Sequence, residues 1–148
     1  YSWVPEPVRD RLVAIARENL APDGIAYIDY NAYPGCHLRM MMREMMLFQA
    51  NGIEDPELKL KHAFALLNFL AGTSNPVLAQ EVKQLRERMG WQVFHDDLGD
   101  EFHPVYLFQF AQHARERGLQ ILADAQFPRG RLGFHPLDGL ESSRQSAN

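Results

Sequence analysis

The chain is short of cysteine, of surplus basic charge, of long apolar runs and of glycine-rich loops, and each shortage excludes something. One cysteine, Cys36, rules out an internal disulfide and fits a reducing compartment. Lysine and arginine number 15 against 19 acidic residues, a formal net charge of -4 with a pI near 5.8. Such a balance gives no electrostatic basis for binding nucleic acid or an anionic membrane, since phosphate recognition needs concentrated basic charge. No apolar stretch approaches the roughly 20 residues that a membrane-spanning helix requires. The first residues also lack the charged, apolar and small-residue order of a signal peptide, so the expected compartment is the cytoplasm. The glycines fall at helix ends and turns, and none forms the Gly-x-Gly of a nucleotide-cradling loop. The chain opens on Tyr1 in place of methionine, from which we expect a piece of a longer polypeptide.

What is present is globular: 46% hydrophobic and 23% charged residues over 148 positions, enough for one core. Pro5 and Pro7 open a helix in which Val8, Leu12, Ile15 and Ala16 recur as a stripe expected to be buried. It ends at Leu20 before Pro22-Asp23-Gly24, where Gly24 is expected to take a positive φ and turn the chain into a strand over Ile25 to Tyr30. That strand needs a sheet that the rest of the sequence does not visibly supply.

A second helix from His37 to Ala50 carries Met41, Met42, Met45 and Met46 at core spacing, with Met40 outside. Asp55-Pro56 and Asn75-Pro76 are cap and first-turn pairs for two further helices, and the nearly all-apolar run Phe64 to Leu70 suits the centre of a bundle. After a segment of mixed character from Trp91 to His103, another helix is expected from Pro104 to Arg117 with Leu107, Phe110, Ala111 and Ala114 on one side, stopped by Gly118. Leu119 to Ala123 has the composition of a short strand, and residues 128–148 thin to a flexible tail.

Two stretches carry a resemblance. Tyr1-Ser-Trp-Val-Pro5, the helix, Leu20-Ala-Pro-Asp-Gly24 and the run to Tyr30-Asn31 resemble the fourth-helix and fifth-strand region of a class I S-adenosylmethionine-dependent methyltransferase. The stretch from about Glu57 to Ala125, with His95-Asp96-Asp97-Leu98, Pro104-Val-Tyr106, Phe110 and Gly118-Leu119-Gln120, is similar to the predicted methyltransferase regulatory domain that follows such catalytic domains in bacteria. The resemblance implies a mainly α (α+β) fold: the end of a catalytic α/β domain over 1–50, a helical regulatory domain over 51–127, and the tail. It also implies S-adenosylmethionine for the complete enzyme, held by a glycine loop and an acidic residue that this chain does not carry. No cofactor-binding, metal-binding or catalytic residue is therefore assigned to the chain alone, and its expected partner is the donor-binding N-terminal half. Where the family tends to have Asn before its Pro, this chain has Glu101-Phe102-His103-Pro104, so no role passes to that position.

Ligands of doubly wound sheets bind outside the carboxyl ends of the strands. On the implied topology this places Tyr1, Trp3, Tyr30, Asn31 and Tyr33 at the rim of the substrate pocket; packing for Tyr30 and turn formation for Asn31 are the plainer readings. His95, Asp96, Asp97, Asp100, Glu101 and His103 are the densest set of metal-type ligands. Adjacent Asp96 and Asp97 are expected to point apart, so the set is read as capping and solvating a turn. Cys36 reads as a small buried hydrophobe, and His62 and His113 as structural histidines. The alternative to a methyltransferase part is a free-standing helical interaction module that self-associates through its orphan strand and apolar faces.

Overall fold

The computed structural model describes residues 1–125, so the tail expected over 128–148 lies outside the described residues. Local chemistry accounts for the element order: α1 (Glu6–Asn19), β1 (Ala32–Tyr33), α2 (His37–Gln49), α3 (Pro56–Leu70), α4 (Pro76–Arg86), α5 (Gly90–Asp97), β2 (Val105–Tyr106) and α6 (Leu107–Glu116). The fold is mainly α with a small strand remnant. Asp55 caps α3 by accepting the Leu58 N–H at 2.7 Å, and Asn75 caps α4 by accepting the N–H groups of Val77 and Leu78 at 3.0 and 3.1 Å. Gly52 and Gly118, at φ 74° and 76°, supply the left-handed residues after α2 and α6.

Met42 and Met46 of α2, Ala63 and Leu67 of α3, Val82 and Leu85 of α4, Val93 of α5 and Leu98 form one buried cluster, with α3 packed against α2, α4 and α5. Three- and four-residue spacing brings each pair to one helix face. The core thus runs across position 50. Helix α5 begins within van der Waals reach of α3, since a Cβ at Gly90 would meet Leu60 Cδ2 at 2.8 Å. The segment after Gly90, mixed by sequence, is therefore helical where its Val93 reaches the core. Met41 is 40% exposed while Met40 is half-buried, the reverse of the expected order, because the core-facing stripe of α2 centres on Met42 and Met46.

The N-terminal unit departs most from expectation. Ile25 to Tyr30 forms no ladder, and Ile25 and Tyr27 are each 73% exposed. A strand needs a neighbour to accept and donate along its length, and the described residues give this one backbone partners only at its end. The Tyr1 nitrogen donates to the Asp29 carbonyl at 3.1 Å, and the Val105 N–H to the Asn31 carbonyl at 3.1 Å. The ladder that does form pairs β1 with β2 in parallel, Ala32 opposite Val105 and Tyr33 opposite Tyr106. Consequently α6 starts at Leu107, not Pro104, and Leu107 is exposed; residues 119–123 form no strand.

Gly24 has no positive φ; its turn favours glycine for closeness, since a Cβ there would lie 3.0 Å from both the nitrogen and the carbonyl oxygen of Ala21. On α1, Val13 is buried but Val8, Leu12 and Ile15 remain 42, 43 and 43% exposed, so the expected stripe is only partly covered among the described residues.

Leu67→Ala should lower stability by about 2–5 kcal/mol through loss of buried volume. Phe69→Ala, at an 82% exposed site on the same helix, should change it by no more than about 0.5 kcal/mol. Urea denaturation of both variants checks the assignment of the α3 core face, which equal losses would contradict.

Candidate functional site

Ser2 is fully buried and joins three segments. Its hydroxyl accepts the Asn31 N–H at 2.8 Å, and its carbonyl accepts the His103 N–H at 2.7 Å. Residues 1–3 therefore run between the end of the segment after α1 and the approach to β2. This placement stacks Tyr30 on Phe110 of α6 at 4.5 Å and sets Tyr1 edge-on to Phe110 at 5.3 Å. Beside them lies an open cleft of about 1050 Å³, walled by the first turns of α1, Tyr33, residues 102–105 and the outer face of α6.

A line of polar groups crosses this cleft. Tyr1 Oη lies 2.7 Å from His113 Nδ1, and His113 Nε2 lies 2.8 Å from Asp10 Oδ1. Arg117, one turn beyond His113, reaches the same carboxylate with its Nε at 3.1 Å and also with Nη2. Hydrogen bonds from Arg117 and then His113 hold the Asp10 carboxyl below its ordinary value, so it is an ionised acceptor at neutral pH. An acceptor at Nε2 requires the ring to carry a proton there, which in the neutral imidazole leaves Nδ1 to accept from the Tyr1 hydroxyl. Burial pushes the Tyr1 phenol up, consistent with its acting as donor. The order is thus Tyr1 O–H to Nδ1, then Nε2–H to Asp10. The Arg9 guanidinium lies 5.6 Å from the Tyr1 ring centroid.

Of the five expected rim residues, Tyr1 and Tyr33 line the cleft. Tyr30 is half-buried in its stack on Phe110, and Asn31 is tied down through its backbone. Trp3 turns away, donating from Nε1 to the Asp96 carbonyl at 3.3 Å with its ring 6.1 Å from Phe102. Sequence reasoning missed Asp10 and Arg117 and gave His113 only a structural part. The spacing of His113 and Arg117 does place both on one face of α6, but nothing local announces Asp10 as their partner across 103 positions.

The His95 to His103 set divides differently from expectation. Asp97, fully buried, accepts from Arg39 Nε at 2.7 Å and Arg88 Nη1 at 2.5 Å, and Asp96 is bound by Arg88 and, at 2.8 Å, by His95 Nδ1. Adjacent helical residues diverge by about 100°, yet two long guanidinium side chains span that angle, so Asp96 and Asp97 serve one cluster instead of pointing apart. Neither caps α6, whose N-cap is Tyr106, and His103 pairs with Glu101. Among the described residues no group of three or more His, Cys, Asp and Glu is arranged to hold a metal ion. Cys36 is buried, and burial pushes its thiol up, away from nucleophilic chemistry; the His37 ring stacks on Tyr33 at 4.5 Å. Among the described residues no helix is long and apolar enough to cross a membrane.

No protein-family model matches the chain. It is 33% identical over 142 residues to the uncharacterised protein RP789 of Rickettsia prowazekii, covering 91% of this chain and 26% of that protein. A second uncharacterised protein of that organism, RP028, is 31% identical over 129 residues, with 82% of this chain and 52% of its own length covered. Among solved structures, PKMT2 from Rickettsia typhi superposes on the whole chain with a TM-score of 0.73 at 30% identity, and PKMT2 in complex with AdoHcy with a TM-score of 0.71 at 28%. The chain is related to PKMT2 in sequence and in fold. It spans 29% of the PKMT2 chain, and between 26 and 52% of these two curated relatives.

Asp97→Ala removes the buried acceptor of Arg39 and Arg88 and leaves them the partly exposed Asp96, so it should cost about 1.5–3 kcal/mol; a loss below about 0.5 kcal/mol in chemical denaturation would show the cluster to be dispensable. Acid should also act here. Burial works to raise Asp96, but hydrogen bonds from His95 and Arg88 outweigh it, so Asp96 and Asp10 both sit below their ordinary value of 3.8 when folded. The unfolded chain then takes up these protons first as pH falls. Their contribution is complete above pH 3.8 and is lost as pH drops through the folded-state values. Urea midpoints should hold level above that point and decline below it, less steeply in Asp96→Asn; an unchanged slope in that variant would remove Asp96 from the account.

Proposed function

We propose that this chain is the C-terminal part of a bacterial, cytoplasmic S-adenosylmethionine-dependent methyltransferase and does not transfer methyl groups by itself. Residues 1–50 would end the catalytic α/β domain, and the helical domain over 51–127, named regulatory in the family it resembles, covers the substrate side. The observation that carries this reading is the superposition on PKMT2 in complex with AdoHcy, at a TM-score of 0.71 over the whole of this chain but only 29% of that one. AdoHcy is what remains of S-adenosylmethionine once its methyl group has left.

The residues of this chain do not fit the donor itself. Among the described residues the glycines at positive φ end helices, and the sequence holds no Gly-x-Gly for the ribose side of the donor to approach. No residue here is therefore assigned to it. The N-terminal unit supports a missing half as partner. Val8, Leu12 and Ile15 on α1, with Ile25 and Tyr27 after it, expose apolar side chains that a neighbouring strand and helix of a larger sheet would cover. Self-association across the same surface is the competing reading, and solution mass separates them: a monomer at micromolar concentration argues against it.

Calorimetric titration of the isolated chain with S-adenosylmethionine should give no stoichiometric heat. Tight one-to-one binding would overturn the assignment of the donor site to another part of the enzyme.

A further inference from the structure

We propose that Tyr1, His113 and Asp10 form a proton relay opening on the cleft, through which α6 takes part in deprotonating an N–H or O–H methyl acceptor; the inference rests on the methyltransferase reading above. All three side chains line the cleft, and His113 and Asp10 are both partly exposed. The Tyr1 oxygen spends its proton on Nδ1 and keeps lone pairs with which to accept from a ligand. The cleft also lies where Tyr1 and the segment up to Asn31 end, which on the sheet topology of the resemblance is the ligand side.

The step is a proton transfer without redox change. The acceptor's N–H or O–H proton passes to the Tyr1 oxygen as the phenol's own proton passes to His113 Nδ1. The acceptor keeps the electron pair of the broken bond as a nucleophilic lone pair. The ring becomes imidazolium, still donating from Nε2 to Asp10, whose negative charge stabilises it. Tyr1 alone meets the acceptor, so His113 and Asp10 are positioning residues. The charged groups facing the relay are Arg9 and Glu6 from α1 beside Tyr1, Arg117 on the Asp10 carboxylate, and Glu116 beside Arg117.

Two measurements test it. In the isolated chain, nitrogen-15 NMR of the histidine rings should show His113 protonated at Nε2 and bare at Nδ1, and Asp10→Asn should weaken that tautomer preference. The opposite tautomer, or a tautomer preference indifferent to Asp10→Asn, overturns the relay without touching the methyltransferase reading. In the complete enzyme, Tyr1→Phe should lower kcat by about 10²-fold or more with KM little changed. It should also abolish the limb of the kcat/KM profile that rises with pH, and His113→Gln should do the same while circular dichroism reports an unchanged fold. An active wild type whose Tyr1→Phe variant keeps its rate and pH profile overturns the proposal. A complete polypeptide that transfers no methyl group to any acceptor while the NMR result holds places the failure in the methyltransferase reading, and the relay's role falls with it.

Discussion

The carboxylate of Asp97 has no contact with water, and most of the architecture follows from the need to pair it. An ionised carboxylate removed from solvent without partners is too costly to keep. Asp97 meets that constraint with Arg39 from α2 and Arg88 from the turn between α4 and α5, tying both to the end of α5. Arg39 and Arg43 in turn lie 5.8 Å from the Phe102 ring centroid, and Arg43 binds the Gly99 carbonyl. Phe102 is buried beside them, and the backbone that follows gives the His103 N–H to Ser2 and the Val105 N–H to Asn31. The parallel β1–β2 pair and the floor of the cleft are downstream of an ion cluster that belongs to neither.

That dependence explains what could be read from sequence. Asp55, Asn75, Gly52 and Gly118 act on backbone groups within a few residues of themselves, so their roles are written locally. The core stripe of α2 was legible as methionines at helical spacing, though which of Met40 and Met41 faced out depended on where α3 and α4 settled. Asp96 and Asp97 were visible as a charged cluster, but their use was not. Their partners stand as many as 58 positions away, and no periodicity connects Arg39 to Asp97. The same holds for the cleft. Tyr1 and Tyr33 were recognisable from the resemblance, while Asp10, 103 residues from His113, had no signature beyond being an acid early in a helix.

The N-terminal unit failed for a different reason. Over Ile25 to Tyr30 the sequence was read as a strand lacking a sheet in this chain, and the structure gives it no ladder among the described residues; on α1 the stripe expected to be buried is covered only at Val13. Periodicity reports which face seeks burial; it does not say that the covering surface lies in the same stretch of chain. Val8, Leu12, Ile15, Ile25 and Tyr27 are exposed in a chain that spans 26 to 52% of the lengths of these relatives.

Helix α6 links the two halves of the reading. Phe110 and Ala114, four residues apart, face inward together with Ala111, while His113 and Arg117, also four apart, face the cleft. Packing on one side thus sets hydrogen-bond geometry on the other. A displacement of α6 by about 1 Å would carry the 2.7 Å contact between Tyr1 and His113 beyond hydrogen-bonding range, while the apolar contacts of Phe110 would only loosen. The polar line on the cleft side of α6 therefore tolerates far less movement than the packing that holds it.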